Sequence, residues 1–182
     1  MLVIKKRLLK AFSVLILALI VLTITGCDKL KNSISGGIPI SDTPFSARME
    51  IDTEDIDFVS NVKRLGMGLW EMEVLEPEAI KGLTIVYDGK SVSSTMNGFT
   101  QTQPIENVTD SAVFLQIFRT IDNAISTVDP QGKTVDGKYV LDGEIPTSSF
   151  EIIFNPETNA PEEIKLPEAA MQAYISEFQI LS

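Results

Sequence analysis

The side chains with which this chain could do chemistry are nearly all carboxylates. Its 182 residues hold 25 Asp and Glu against 15 Lys and Arg, with no histidine and one cysteine, Cys27. A Ser/His/Asp or Cys/His catalytic set, a Cys/His zinc site and an internal disulfide therefore have no residues to be built from. The densest acidic run is Asp52-Thr53-Glu54-Asp55-Ile56-Asp57. Calcium takes about six to eight oxygen ligands, and this run lacks the central glycine and distal glutamate of an EF-hand loop. It reads as a solvated turn between strands. Gly132-Lys133-Thr134 ends like a phosphate loop, but the first glycine of that motif would fall at Thr127, inside a helix, so it reads as a plain turn. Glu71 and Glu73, two apart on a strand, share its solvated face. Two carboxylates brought together from different strands, as in a glycosidase, are the one hydrolytic chemistry left open. The expectation is a protein without catalytic residues, cofactor or metal. Asn107-Val108-Thr109 matches a glycosylation acceptor but carries no weight in a chain with the following N-terminus.

Positions 1–26 open with Lys5, Lys6, Arg7 and Lys10, continue as an apolar run from Ala11 to Ile24 broken only by Ser13 and Thr23, and end in Thr25-Gly26. A membrane span needs about 20 apolar residues, so this shorter run reads as a cleaved export signal. Ile24-Thr25-Gly26-Cys27 resembles the lipobox of bacterial lipoproteins. The resemblance implies cleavage before Cys27 and lipidation of its thiol with palmitate-class acyl chains. Each buried methylene contributes about 0.8 kcal/mol, so two or three such chains anchor stably where one is marginal. Residues 27–43, polar and rich in Gly, Ser and Pro, read as a tether, leaving a domain over 44–182. Four of the 15 cations and none of the acids precede Cys27, so the chain from Cys27 onward carries 11 cations, 25 acids and a net charge of −14. That field repels nucleic acid and favours a basic partner surface.

The elements that must position any site are mostly strands. Phe45, Ala47, Met49 and Ile51 alternate with Ser46, Arg48, Glu50 and Asp52, the pattern of a half-buried antiparallel strand. Trp70, Met72 and Val74 alternate with Glu71 and Glu73; Leu83, Ile85 and Tyr87 with Thr84 and Val86; Phe150, Ile152 and Phe154 with Ser149, Glu151 and Ile153. Hairpin signals stand at Asp88-Gly89, Asn97-Gly98, Asp136-Gly137 and Asp142-Gly143, and Asn155-Pro156 to Pro161 reads as a loop. One long meandering sheet is expected. Short helical turns are expected at Pro77–Lys81, closed by Gly82, and within Pro167–Ala173, before a closing strand in which Tyr174, Ser176, Phe178 and Ile180 alternate with their neighbours. Between Asp110 and Val128 the spacing of Phe114, Ile117, Phe118, Ile121, Ile125 and Val128 predicts an amphipathic helix. Gln116, Arg119, Thr120, Asp122 and Asn123 fall on its other side, Thr109 or Asp110 caps it, and Asp129-Pro130 ends it.

The order of these pieces is similar to that of the LolA/LolB lipoprotein-carrier superfamily. The likeness lies in Trp70 to Lys90, a strand entering a Pro turn and a second strand ending in an Asp-Gly hairpin, and in Phe150 to Leu166, a strand, an Asn-Pro loop and a return strand. It covers most of Phe45 to Leu181. The fold it implies is α+β: a curved antiparallel sheet, a half β-barrel, with one amphipathic helix packed on its concave face. Germination lipoproteins of spore-forming clostridia, which partner a cortex amidase, are similar in plan.

The apolar set Met49, Trp70, Met72, Leu83, Ile85, Phe114, Phe118, Phe150 and Ile152 then has two meanings. It is either a closed core or the lining of a cavity for an acyl chain, where flexible Met and flat aromatic side chains accommodate varied shapes. The function expected is that of a non-catalytic, extracytoplasmic binding protein anchored to the cell membrane through Cys27. Its ligand would be an acyl chain or lipoprotein, or an envelope protein. The alternative is a scaffold or activator of a cell-wall amidase in germination. Oligomeric state is not legible in the sequence.

Overall fold

The computed structural model describes residues 42–126 and 132–181. The signal, Cys27, nearly all of the tether, and the Asp129-Pro130 helix stop lie outside the described residues. Eleven antiparallel strands form one open, curved sheet in the order β6-β5-β4-β3-β2-β1-β11-β10-β9-β8-β7. They are β1 (Phe45–Asp52), β2 (Phe58–Gly66), β3 (Leu69–Glu76), β4 (Thr84–Tyr87), β5 (Ser91–Met96), β6 (Phe99–Pro104), β7 (Gly132–Val135), β8 (Lys138–Ile145), β9 (Ser148–Phe154), β10 (Pro161–Leu166) and β11 (Met171–Ile180). The sheet is thus two meanders, β1 to β6 and β7 to β11, joined where β11 returns to pair with β1, and not a single run in chain order. The connection between the meanders holds the one described α-helix, α1 (Val113–Ser126).

The alternation of the sequence sets which face is buried. Phe45, Ala47, Met49 and Ile51 of β1 join Trp70, Met72 and Val74 of β3, Ile85 of β4 and Phe150, Ile152 and Phe154 of β9 in one core, and α1 adds Ile117, Phe118, Ile121 and Ala124 to it. The turns at Asp88-Gly89, Asn97-Gly98 and Asp136-Gly137 all join adjacent strands. A short 3-10 turn forms at Glu78–Ile80, followed by Gly82 at φ +80°, and another at Pro167–Ala169.

Five local expectations are corrected. Asp142-Gly143 lies inside β8 and makes no hairpin. Gly143 is paired with Phe150, whose ring occupies the space of the missing Cβ, with atoms 2.2 Å from where that carbon would stand. A glycine in a strand here marks a close approach, not a turn. Gly132-Lys133-Thr134 is strand β7, held by a 3.0 Å ion pair between Lys133 and Asp142 of β8. In β11 the buried positions are Met171, Ala173 and Ile175, so Tyr174 points outward. A bulge with Glu177 at φ +52° then turns Phe178 inward, where its ring meets that of Phe45 at 5.0 Å. Ile153, expected on the solvated face, is buried opposite Val140. Finally, α1 begins at Val113, so neither Thr109 nor Asp110 stands at the position just before its first residue. Asp110 pairs with Arg119 at 2.6 Å, and the Thr109 hydroxyl bonds with Ser111.

Candidate functional site

The chain between Arg64 and Trp70 alternates like the strands around it, but with inverted chemistry. Arg64 and Trp70 point into the protein, while Leu65, Met67 and Leu69 at the β2–β3 turn are 46%, 48% and 43% exposed. The reason lies in α1. Asp122 stands one turn after Phe118, and its carboxylate accepts three hydrogen bonds from the hairpin. Arg64 Nε donates to Oδ1 at 2.8 Å, and Trp70 Nε1 and the Gly68 backbone N–H donate to Oδ2 at 2.9 and 3.0 Å. Gly68 takes φ +67°, a left-handed conformation that aims its N–H at the helix without a Cβ penalty.

Arg64 is entirely buried. Its Nη2 donates to Asp42 at 2.8 Å, and its Nη1 has no partner among the described residues. A buried guanidinium is tolerated only when its charge is paired, and Asp122 and Asp42 together supply that pairing. Beside this pair the Phe118 ring stacks on Trp70, centroids 4.6 Å apart and planes within 10°. Phe45 meets Trp70 edge-on at 5.8 Å. The hairpin is thereby clamped on one side by charge and aromatic stacking, and on the other it presents three apolar side chains to solvent.

The nine residues expected to line a cavity are brought together. Met49, Trp70, Met72, Ile85, Phe118, Phe150 and Ile152 are buried in one cluster, and Leu83 and Phe114 are half-buried against it. None of them borders two grooves of about 510 Å³ each that lie among the described residues at the end of the sheet near the β1–β2 turn. One of these runs between that turn, the start of α1 and the Pro167–Ala169 turn, and is bordered by Ile56, Val113, Gln116, Thr147, Glu168 and Met171. Gln116, expected on a solvated helix face, is buried there, donating to Ser111 O and accepting from Thr147. Thr120 is also buried. Glu168 accepts from Ser148 Oγ at 2.6 Å and from the Ser149 amide at 2.9 Å. The Ser148 hydroxyl, then the Glu168 backbone N–H and the Ser149 hydroxyl, hold its carboxyl at about 2, below the ordinary 4.5.

The acidic run after β1 forms an exposed turn organised by Thr53, whose hydroxyl donates to Ile56 O at 2.6 Å and accepts from the Ile56 amide at 3.0 Å. Among the described residues no group of three or more Asp, Glu, Cys or His converges as a metal site would require. Glu71 and Glu73 lie on the face of β3 opposite Trp70 and Met72, as alternation requires. For Arg64 the sequence carries a signal: Phe58, Ser60, Val62 and Arg64 alternate with Asn61 and Lys63, which places a cation on the apolar face and demands an acid opposite it.

No protein-family model and no curated protein matches the chain. Solved structures do. An uncharacterized conserved protein from Thermus thermophilus is 15% identical, with 78% of this chain and 80% of that one covered and a TM-score of 0.50. A chain from the complex of the CwlD amidase of Clostridioides difficile with the GerS lipoprotein is 18% identical over 76% of this chain and 85% of its own, with a TM-score of 0.52. A LolA superfamily protein from Nitrosomonas europaea, NE2245, is 11% identical over 78% and 87%, with a TM-score of 0.38. At these identities the likeness concerns fold and not activity. The chain shares its fold with the Thermus protein and with a chain of the amidase–lipoprotein complex.

Proposed function

We propose that this protein is a non-catalytic, extracytoplasmic binding protein. It is held at the cell membrane by lipid on Cys27, with α1 packed on the concave face of a half-barrel, and it docks an envelope protein through the β2–β3 hairpin tip. The carrying observation is the inverted hairpin. Asp122 binds Arg64, Gly68 and Trp70 from behind, and Leu65, Met67 and Leu69 are left outward on a hairpin held by those three hydrogen bonds. Presenting a preorganised apolar patch lowers the ordering cost of association. The likeness to a chain of an amidase–lipoprotein complex favours a cell-wall amidase as the partner class, with a scaffolding or activating role in germination. The acidic surface would steer a basic face of that enzyme toward the patch.

The test is direct titration of the lipid-anchored chain with a purified cell-wall amidase. Met67→Glu is expected to weaken binding by about 100-fold, the effect of placing a charge in an apolar contact worth about 3 kcal/mol. Unchanged affinity in Met67→Glu would remove the hairpin from the interface. Mass spectrometry of the mature chain should find acyl groups on Cys27; an unmodified thiol there would remove the anchor.

A second reading is acyl-chain binding by Met49, Trp70, Met72, Leu83, Ile85, Phe114, Phe118, Phe150 and Ile152. It draws on Leu83 and Phe114, which lie half-buried against the cluster and so are within reach of a ligand from outside it. Saturable displacement of a fluorescent fatty acid, weakened by Leu83→Asp, would support it. Absence of binding would leave the cluster as core alone.

A further inference from the structure

The two ends of the sheet are not protected alike. β7, at one end, carries Lys133, a residue of the kind that discourages a further strand. β6, at the other end, carries no charge: from Ser91 to Ile105 there is no Asp, Glu, Lys or Arg, in a chain where such residues make up 22%. All of Phe99 to Pro104 except Gln103 is exposed, and Phe99 is 83% exposed. Among the described residues no strand pairs with the outer side of β6.

The turn fixes which backbone groups face that outer side. Asn97 at φ +52° and Gly98 at φ +81° form a two-residue hairpin turn closed by Met96 and Phe99. The closing pair of such a turn exchanges both backbone hydrogen bonds, and bonded and non-bonded pairs then alternate. Phe99, Gln101 and Gln103 therefore direct their N–H and C=O groups to β5, while Thr100 and Thr102 direct theirs outward. The side chains agree. Thr100 Oγ1 lies 2.9 Å from Thr95 Oγ1, and Thr102 Oγ1 lies 2.8 Å from Ser93 Oγ, the close approach expected of non-bonded pairs.

We infer that β6 pairs antiparallel with β6 of a second copy of this chain, about a two-fold axis through Gln101. Thr100-Gln101-Thr102 is the same in both directions, so this register sets Thr100 of each copy opposite Thr102 of the other. Each outward N–H then meets an outward C=O. Phe99 comes to lie beside Gln103 of the second copy on one face, and the threonine hydroxyls continue as a ladder on the other. The occupant is a second copy because the contact is self-complementary and closes on itself, whereas pairing β6 with β7 would propagate without end. Along it, two copies of this acidic chain meet without opposing like charges.

The test is oxidative crosslinking of the full chain in membranes. Gln101 faces its own symmetry mate as a non-bonded pair, the closer of the two pair types and within disulfide reach. Gln101→Cys should give a disulfide-linked dimer beyond the background of the chain carrying Cys27 alone, and Lys133→Cys on β7 should not. Adding Thr102→Pro, which removes only an outward N–H, should cut the crosslinking rate at least about tenfold, and Thr102→Lys should do the same by introducing like charge. No crosslink through Gln101→Cys overturns the inference, as it would if an extended segment of another protein occupied the edge. A crosslink equally fast at position 133, or indifferent to both Thr102 variants, reports random collision and overturns it as well. The outcome is independent of the amidase titration, which reads the opposite end of the chemistry, an apolar tip.

Discussion

The β2–β3 and β5–β6 hairpins both turn tightly on glycine, and they are supported in opposite ways. β2–β3 has a helix behind it: Asp122 binds three of its donors, Phe118 stacks on Trp70, and the outward side chains are apolar. In β5–β6 only Val92 is buried, and the side-chain bonds between its strands are hydroxyl pairs. The first hairpin can hold an apolar surface in water because tertiary contacts fix its backbone. The second must rely on its own ladder, so what it offers to a partner is backbone.

The largest expected effect tests the first of these supports. Asp122→Ala leaves the Trp70 N–H without its acceptor and the buried guanidinium with only the exposed Asp42 as counter-charge, and should destabilise the protein by about 3 kcal/mol in urea unfolding. Asp122→Asn retains the hydrogen-bond acceptor for Trp70 and should recover part of the loss. If Asp122→Ala costs no more than an ordinary surface substitution, the contrast between the hairpins collapses. A third hairpin, β8–β9, sharpens it. Gly143→Ala places a methyl against the Phe150 ring and should cost about 1–3 kcal/mol by overpacking.

A smaller effect belongs to the Pro167–Ala169 turn before β11. Glu168 has its carboxyl held at about 2, below the ordinary 4.5, so the folded state binds a proton there less readily than the unfolded chain. Its contribution is complete above about pH 4.5 and fades as pH falls toward 2. The melting temperature of Glu168→Gln should consequently fall less steeply across that window than that of the parent, and parallel slopes would contradict the assignment. The smallest effect is expected in the second hairpin. Phe99→Ser, at an exposed tip, should change unfolding free energy by no more than about 0.5 kcal/mol. A large loss would mean that β6 depends on burial against something beyond the described residues.

Much of this fold is legible in the residue pattern, because a strand with one buried face repeats every two residues. Met49, Trp70, Met72, Ile85 and Phe150 are recognisable as inward positions on that basis, and all are buried. The readings that failed did so where something distant occupied the space. Asp142-Gly143 has the composition of a turn, yet the glycine is required by the Phe150 ring on the neighbouring strand. Tyr174 belongs to an alternating series whose phase a bulge at Glu177 resets. Gln116 and Thr120 look like a solvated helix face, and they are buried. In the candidate site, Phe118 and Trp70 could be singled out by type and spacing, whereas the exposed Leu65, Met67 and Leu69 could not, since apolar residues at a turn say nothing of what lies behind them.

Composition and periodicity by themselves determined that this chain is acidic, has no histidine for a Ser/His/Asp or Cys/His set, and is built of half-buried antiparallel strands with one amphipathic helix. Those properties follow from residue type and from spacing along the chain, which are local. Only the tertiary structure decided that β11 returns to join two meanders, that Asp122 reaches three donors on a hairpin more than 50 residues away, and that β6 rather than β7 is the unguarded edge. These depend on which distant groups meet, and pairing between strands has no signature in the sequence of either strand alone.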